Sequence, residues 1–228
     1  MNDTIRKRKS IRKYELSDLD AGLLESVQSK MAQVEPLYPD IGVLIEIARK
    51  TKGIFGIAAP HYLVFGSEEK EGAYENIGFI GQQMDLFFSE AGIGACWLGM
   101  AKHETNMIGG YPFVICMAFG KPAELLHRNL SDFKRKSLSE ISEGVDERLE
   151  AARLAPSAKN TQGWFFVAQD GVIHCFRKRN TLMPDKLSSI DLGIAICHIA
   201  TESGEFSFGK DSAAPVRKGF IYVGTVGA

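Results

Sequence analysis

An α+β protein made of two related lobes is the architecture that the residue pattern of this chain calls for. Three observations lead there. Short apolar runs rich in β-branched and aromatic residues alternate with longer stretches of helical periodicity. An Asp170-Gly171 pair separates two of the short runs, which marks a β-hairpin. Four segments of the first half have echoes in the second half, in the same order.

Taken in order, residues 17–31 (SDLDAGLLESVQSKM) read as a helix. Ser17 is a capping residue type, and Leu23, Leu24, Val27 and Met31 recur at helical spacing. Residues 41–49 (IGVLIEIAR) are apolar and fit strand or helix equally. HYLVFGS (61–67) reads as a short strand ended by Gly66 and Ser67. The longest helical pattern is YENIGFIGQQMDLFFSEA (74–91), with Ile77, Ile80, Met84, Phe87 and Phe88 as its apolar stripe. Gly78 and Gly81 inside it each cost about 1 kcal/mol relative to Ala, which points to a backbone or a ligand passing close by. GIGACWLGM (92–100) reads as a glycine-punctuated loop, and PFVICMAFG (112–120) as a buried strand.

Residues 121–143 are polar enough to cross the surface. EGVDERLEAARLA (143–155) is helical, with Val145, Leu149, Ala152 and Leu154 along one side. GWFFVAQ (163–169) and VIHCFRK (172–178) are the hairpin strands. SSIDLGIAICHIATES (188–203) is a second apolar helix, and KGFIYVGTV (218–226) a final strand. The echoes pair KRKSIRKYE (7–15) with KRKSLSEIS (134–142), and HYLVFGS with WFFVAQD. They also pair NIGFIGQQM with IDLGIAICH, and YPFVICMAFG with RKGFIYVGTV. They divide the chain into halves at 1–125 and 126–228 that together form one domain.

At 228 residues, with 45% hydrophobic and 24% charged residues, the chain can bury a full core. A formal net charge of -1 gives no global argument for nucleic acid or an anionic membrane as partner. Cys96, Cys116, Cys175 and Cys197 are widely spaced among apolar neighbours and read as free, buried thiols of a reducing compartment. The N-terminus carries no apolar signal segment, and no apolar run approaches the ~18 residues of a membrane helix. The expected location is the cytoplasm. His61, His103, His127, His174 and His198 lack metal-ligand spacing, and His198 reads as a satisfied core residue.

Three segments could carry chemistry. Arg6, Lys7, Arg8, Lys9, Arg12 and Lys13 surround Ser10. Guanidinium forks suit phosphate, although a solvated basic tail fits the same charges. In LAPSAKNTQGW (154–164), Pro156 fixes one φ angle, and Ser157, Asn160 and Gln162 offer short polar groups. The same stretch is also a good helix terminus and turn. Gly92, Gly94 and Gly99 permit backbone amides to approach a ligand, or simply close the long helix.

Together, RKSIRKY (8–14), EAARLAPSAKNTQGWFF (150–166) and GIGACWLGMAK (92–102) resemble segments of the nitroreductase family of flavoproteins. The resemblance implies a nitroreductase-like fold in which two lobes mimic the family homodimer. Segment order departs from the family, since the A-P-S segment follows the long helix here. A fused, duplicated chain accounts for that. Ser139 replaces the second basic residue in the second copy, and GIAAPHY (56–62) stands where the first copy's Ser and Asn are expected. One intact flavin site and one decayed site follow, in a monomeric pseudo-dimer or weak homodimer.

By resemblance, Arg8 and Ser10 would bind the FMN phosphate, and Lys9 and Arg12 would lie near the ribityl chain and pyrimidine edge. Pro156, Ser157, Ala158, Asn160 and Gln162 would line the cofactor from the other half. Backbone groups of Trp97, Leu98 and Gly99 would face the reactive edge, and Lys121 is a second phosphate candidate. No side-chain acid or base is implied. The implied activity is ping-pong hydride transfer from NADH or NADPH to a small-molecule acceptor such as a nitroaromatic, quinone or enone. The alternatives are a flavin-binding or regulatory protein with little turnover, and a dehalogenase-like or flavin-modifying variant. Gly163 replaces the family's usual Pro, which suggests a freer turn.

Overall fold

A computed structural model of the chain describes residues 2–52, 57–179 and 185–227. The first part supplies helices α1 (Asp3–Lys7) and α2 (Ala21–Met31) and strands β1 (Val43–Ala48) and β2 (His61–Ser67). Helix α3 (Ala73–Glu90) and strands β3 (Gly94–Leu98), β4 (Met107–Ile108) and β5 (Tyr111–Gly120) follow. The second part supplies α4 (Leu138–Ile141), β6 (Ser142–Glu143), α5 (Leu149–Leu154), β7 (Trp164–Gln169) and β8 (Val172–Lys178). It ends with α6 (Asp185–Glu202), β9 (Phe208–Gly209) and β10 (Phe220–Val226).

Two sheets result, each built from one part only. The first runs β1-β2-β5-β3, with β4 paired to β5; the second runs β6-β7-β8-β10-β9. All pairs are antiparallel except β6–β7. The ambiguity at 41–49 resolves to strand because β1 pairs from Val43↔Ser67 to Ala48↔Tyr62 with β2, every residue of which is buried. The hairpin expected at Asp170-Gly171 is present, with φ of 52° and 82° at its two turn residues.

Helices α3 and α6, 18 residues each, pack against one another through glycines. A methyl group on Gly78 would lie 2.1 Å from the Ile190 carbonyl oxygen, and one on Gly193 would lie 2.0 Å from that of Glu75. Each glycine thus receives the carbonyl of the residue three positions before the other. Gly81 receives the Trp97 ring instead. The helical glycines mark close approaches, as their cost suggested.

Several expectations need correction. Within the loop expected over 92–100, residues 94–98 are strand: β3 pairs with β5, and Gly94 is needed because Ile11 crosses where a Cβ would stand. The helix expected over 143–155 begins only at Leu149, since Gly144 sits at φ 79° and Val145 is fully exposed. The cap of α2 is Asp20, whose carboxylate accepts the Leu23 N–H, and not Ser17. HYLVFGS forms β2, directly before α3, whereas WFFVAQ forms β7, one strand ahead of the β8 that precedes α6. By sheet order β1-β2-β5-β3 corresponds to β7-β8-β10-β9, so β2 matches β8.

The 156–162 segment precedes β7, and the stretch that precedes β1 takes the same place in the first sheet; of 56–62, Gly56 lies outside the described residues. Side-chain bonds agree with this. Asn76 Oδ1 accepts the backbone N–H groups of Leu37 (2.7 Å) and Tyr38 (3.0 Å). Asp191 accepts that of Ala158 (2.9 and 3.1 Å). Each acceptor lies two residues before its helix's crossing glycine.

Candidate functional site

The basic segment is built into the fold. Helix α1 ends at Arg8, where ψ turns to 142° and the chain becomes extended. Ile11 N–H then donates to the Ala95 carbonyl at 2.8 Å, so residues 10–11 run along the outer edge of β3. Glu124 fixes this segment by accepting the Arg12 and Lys13 N–H groups and pairing with Lys9 at 3.1 Å. Arg8 is 1% exposed, with its Nε 2.7 Å from Asp85 Oδ2 of α3. Burial pushes the Asp85 carboxyl up, and the Arg8 charge and a Gln82 bond pull it back.

Gln82 spends every hydrogen-bonding group. Its Nε2 donates to Asp85 and to His198 Nε2, both at 3.0 Å, and its Oε1 accepts from Trp97 Nε1 at 3.3 Å. His198 Nδ1 donates to the Ala151 carbonyl at 2.9 Å, and burial pushes the imidazole down to about 3, so it stays neutral. His198 is the satisfied core residue that its apolar surroundings suggested.

The opposite wall is the segment after α5. Ala155 is extended ahead of Pro156, as a residue before proline must be. Lys159, Asn160 and Gln162 then take left-handed φ values of 52°, 56° and 48°. Such a backbone needs many fixings. Ser157 Oγ accepts the Gln162 N–H at 3.0 Å. Gln162 Oε1 accepts the Lys136 N–H at 2.7 Å, and Asn160 Nδ2 donates to the Lys134 carbonyl at 2.7 Å. Asp191 holds Ala158. Gly163 takes no left-handed φ, and a Cβ there would meet nothing within 4 Å. The expected freedom at Gly163 is not used. Proline there would strain the chain, since a residue before proline favours extended backbone and Gln162 is left-handed.

Arg8, Lys9, Ser10 and Arg12 face Pro156, Ser157 and Asn160 across one cavity of about 600 Å3. Ala158 and Gln162 do not line it; they hold the loop that does. Trp97, Leu98 and Gly99 do not line it either. The Trp97 ring stacks on Phe65, 5.8 Å between centroids, and Leu98 is buried. By strand alternation the backbone groups of Trp97 share the outer edge of β3 with Ala95, beyond residues 10–11. Lys121 is turned away, pairing with Glu15 at 2.9 Å on the surface.

Sequence reasoning missed Arg128, Lys134, Arg135 and Lys159, which complete the lining with Glu124 and Asp132. The repeated KRKS at 134–137 was the available signal for two of them; Arg128 carried none. Burial and the Arg8 charge push Arg128 down to about 10. Burial, then Arg128 and Arg8, push Arg135 down to about 9. Both remain cations at neutral pH. Arg8 Nη1 and Arg135 Nε are buried donors with no partner among the described residues.

All four cysteines are buried and unbridged, and no helix among the described residues is long and apolar enough to cross a membrane. Among curated proteins none matches the chain. A solved structure from Thermotoga maritima, described as a putative nitroreductase, matches with TM-score 0.67 and 20% identity, over 98% of this chain and 91% of that one. A nitroreductase family protein from Clostridium difficile 630 matches with TM-score 0.50 and 15% identity, over 61% of this chain and 96% of that one. These likenesses concern the fold, an α+β nitroreductase-like arrangement. The model of one oxidoreductase family, described as "Putative TM nitroreductase", matches residues 1–203, and this chain belongs to that family.

Proposed function

We propose that the protein is an FMN-dependent oxidoreductase that passes two electrons from NADH or NADPH to a small-molecule acceptor, a nitroaromatic, quinone or related enone. The observation that carries this reading is the single cavity in which the cations of residues 8–12 meet the Pro156–Asn160 wall. Its volume, about 600 Å3, suits a cofactor. The unpartnered donors of Arg8 and Arg135 fit the acceptor oxygens of a phosphate group.

When bound, the flavin supplies the two-electron chemistry. The chain binds and orients. Arg8 and Ser10 would hold the phosphate, and Lys9 and Arg12 would sit beside the polar chain and pyrimidine edge. Pro156, Ser157 and Asn160 would close the opposite face, with Ala158 and Gln162 fixing that loop from behind. Backbone groups of Trp97, Leu98 and Gly99 would border the reactive edge. Reductant and acceptor would use one site in turn, so initial-rate plots would be parallel.

We read the chain as two fused copies, 1–125 and 126–228, with one working site. The reciprocal contacts of Gly78 and Gly193 and the matching roles of Asn76 and Asp191 support this. A monomer or weak homodimer follows, which light scattering measures. The buried, unbridged thiols suit a cytoplasmic location.

The test is an absorbance spectrum of the purified protein, then anaerobic titration with NADH and NADPH. A flavin spectrum bleached by one of them supports the reading, and steady turnover with a quinone or nitroaromatic separates an enzyme from a mere flavin binder. A colourless protein that takes up no FMN overturns it. Arg8→Ala combined with Ser157→Ala should abolish FMN retention; normal retention would put the site elsewhere.

A further inference from the structure

We infer that Lys186, in the first turn of α6, selects the electron acceptor: its ammonium receives a carboxylate carried on the acceptor's aromatic ring. The inference rests on the flavin reading for the place of the reacting atoms, beside the end of β3.

The fold brings four pieces together at that end. Gly99 follows β3, and a Cβ on it would lie 3.2 Å from Leu187 Cδ2. The start of α6 therefore touches the backbone that would border the reactive edge. Phe113 lies on β5, just before the residues of that strand that pair with β3. Tyr74 is at the start of α3 and exposed. The Lys186 Nζ stands 5.8 Å from the Tyr74 ring centroid and 6.0 Å from that of Phe113.

Lys186 is partly buried, yet no carboxylate among the described residues pairs with it. Its neighbours Asp185 and, beside Tyr74, Glu75 both face Arg177, at 3.0 and 3.9 Å. The segments 53–56 and 180–184, outside the described residues, contain no Asp or Glu. Burial alone pulls the ammonium below the usual lysine range. Two ring faces offset only part of that desolvation, whereas a ligand carboxylate would form a charge-assisted bond. The position names the bearer. In a dinucleotide the phosphates lie a ribose or more from the nicotinamide ring. Lys186 adjoins the Leu187 that touches Gly99, so an anion held there is close to the reacting atoms. A benzoate ring beside Tyr74 and Phe113 meets that spacing.

A lysine that merely lays its stem over Tyr74 and Phe113 makes different predictions. The experiment compares the wild-type holoenzyme with Lys186→Met, Lys186→Arg and Lys186→Glu. The acceptors are para-nitrobenzoate and para-nitrobenzamide, which differ in charge and little in shape. Each turnover consumes NAD(P)H, a proton and the nitro compound, and yields NAD(P)+, the nitroso compound and water. The readout is the ratio of kcat/KM for the benzoate to that for the benzamide, at low and high salt. Flavin bleaching by NADH and by NADPH and the unfolding temperature are measured alongside. Lys186→Met is expected to lower the ratio roughly 10-fold, Lys186→Glu to lower it further, and Lys186→Arg to keep it within about threefold of wild type. Salt should bring the wild-type ratio toward that of Lys186→Met.

A ratio that Lys186→Met leaves within about twofold of wild type overturns the inference and leaves the flavin reading standing, whether or not the unfolding temperature moves. A loss confined to bleaching by NADPH does the same, since it puts the anion on the reductant. A flavoprotein that reduces neither nitro compound overturns the inference as well. A colourless protein that takes up no FMN overturns the flavin reading, and this inference with it.

Discussion

Asp191→Asn should make the protein more stable at neutral pH than at acid pH, relative to wild type. Asp191 is buried in α6, with the Ala158 N–H and the Thr161 side chain as donors, and burial lifts its carboxyl from 3.8 to about 7. The unfolded chain keeps the ordinary value. Between the two values the folded state holds a proton that the unfolded state has lost. The stability linked to this proton is complete below the unfolded value, falls as pH rises toward 7, and is gone above it. The slope is about 1.4 kcal/mol per pH unit, so two units from pH 5 to pH 7 amount to about 3 kcal/mol. Asn cannot titrate, yet its amide oxygen can still accept the Ala158 N–H. Asn76 already plays that part for Leu37 and Tyr38. Urea unfolding of both proteins at pH 5 and pH 8 measures the effect. The stability difference between them should move by about 3 kcal/mol in favour of the variant as pH rises. A difference constant within about 0.5 kcal/mol would show that Asp191 does not titrate in this range.

Two further predictions concern the backbone. Gly78→Ala and Gly193→Ala each drive a methyl group into the facing helix's carbonyl, so each should cost about 3 kcal/mol and lower the unfolding temperature by roughly 6–12 °C; a tolerated Ala at either site would refute the close crossing. Gly163→Ala should change stability by less than about 0.5 kcal/mol, whereas Gly163→Pro should cost more than about 1 kcal/mol because Gln162 is left-handed; equal stability of the two in thermal unfolding would contradict the account.

Much of the fold was legible because periodicity reports burial. The long stripe of α3, the hairpin at Asp170-Gly171 and the apolar run of β5 each declare a buried face directly. What stayed hidden depended on partners far along the chain. Residues 94–98 look like a loop until β5 lies on one edge and Ile11 on the other. Val145 continues the apolar stripe of α5 in the sequence, but Gly144 breaks the backbone first. The site divides the same way. Both principal motifs were readable because they gather unusual residue types, and they do meet at one cavity. The supports were not readable: Asp85 beneath Arg8, Asp191 behind Ala158 and Lys136 against Gln162 are joined only by folding. Apolar strands look alike in composition, and only the fold shows that β2 stands before α3 and β8 before α6.

The asymmetry between the parts has a physical logic on the duplicated reading. In a homodimer every substitution appears twice, so a change that improves one site alters both. A fused chain frees the copies from that constraint. The helix crossing keeps its symmetry, because Gly78 and Gly193 each serve the same contact from opposite sides and neither can change alone. The groups around the cavity show no such restraint. Asn76 and Asp191 make the same bonds with different charge. Before β1 the equivalent loop places Tyr38 edge-on against Phe208, 5.6 Å between centroids, where the second copy offers Ser157 to the cavity.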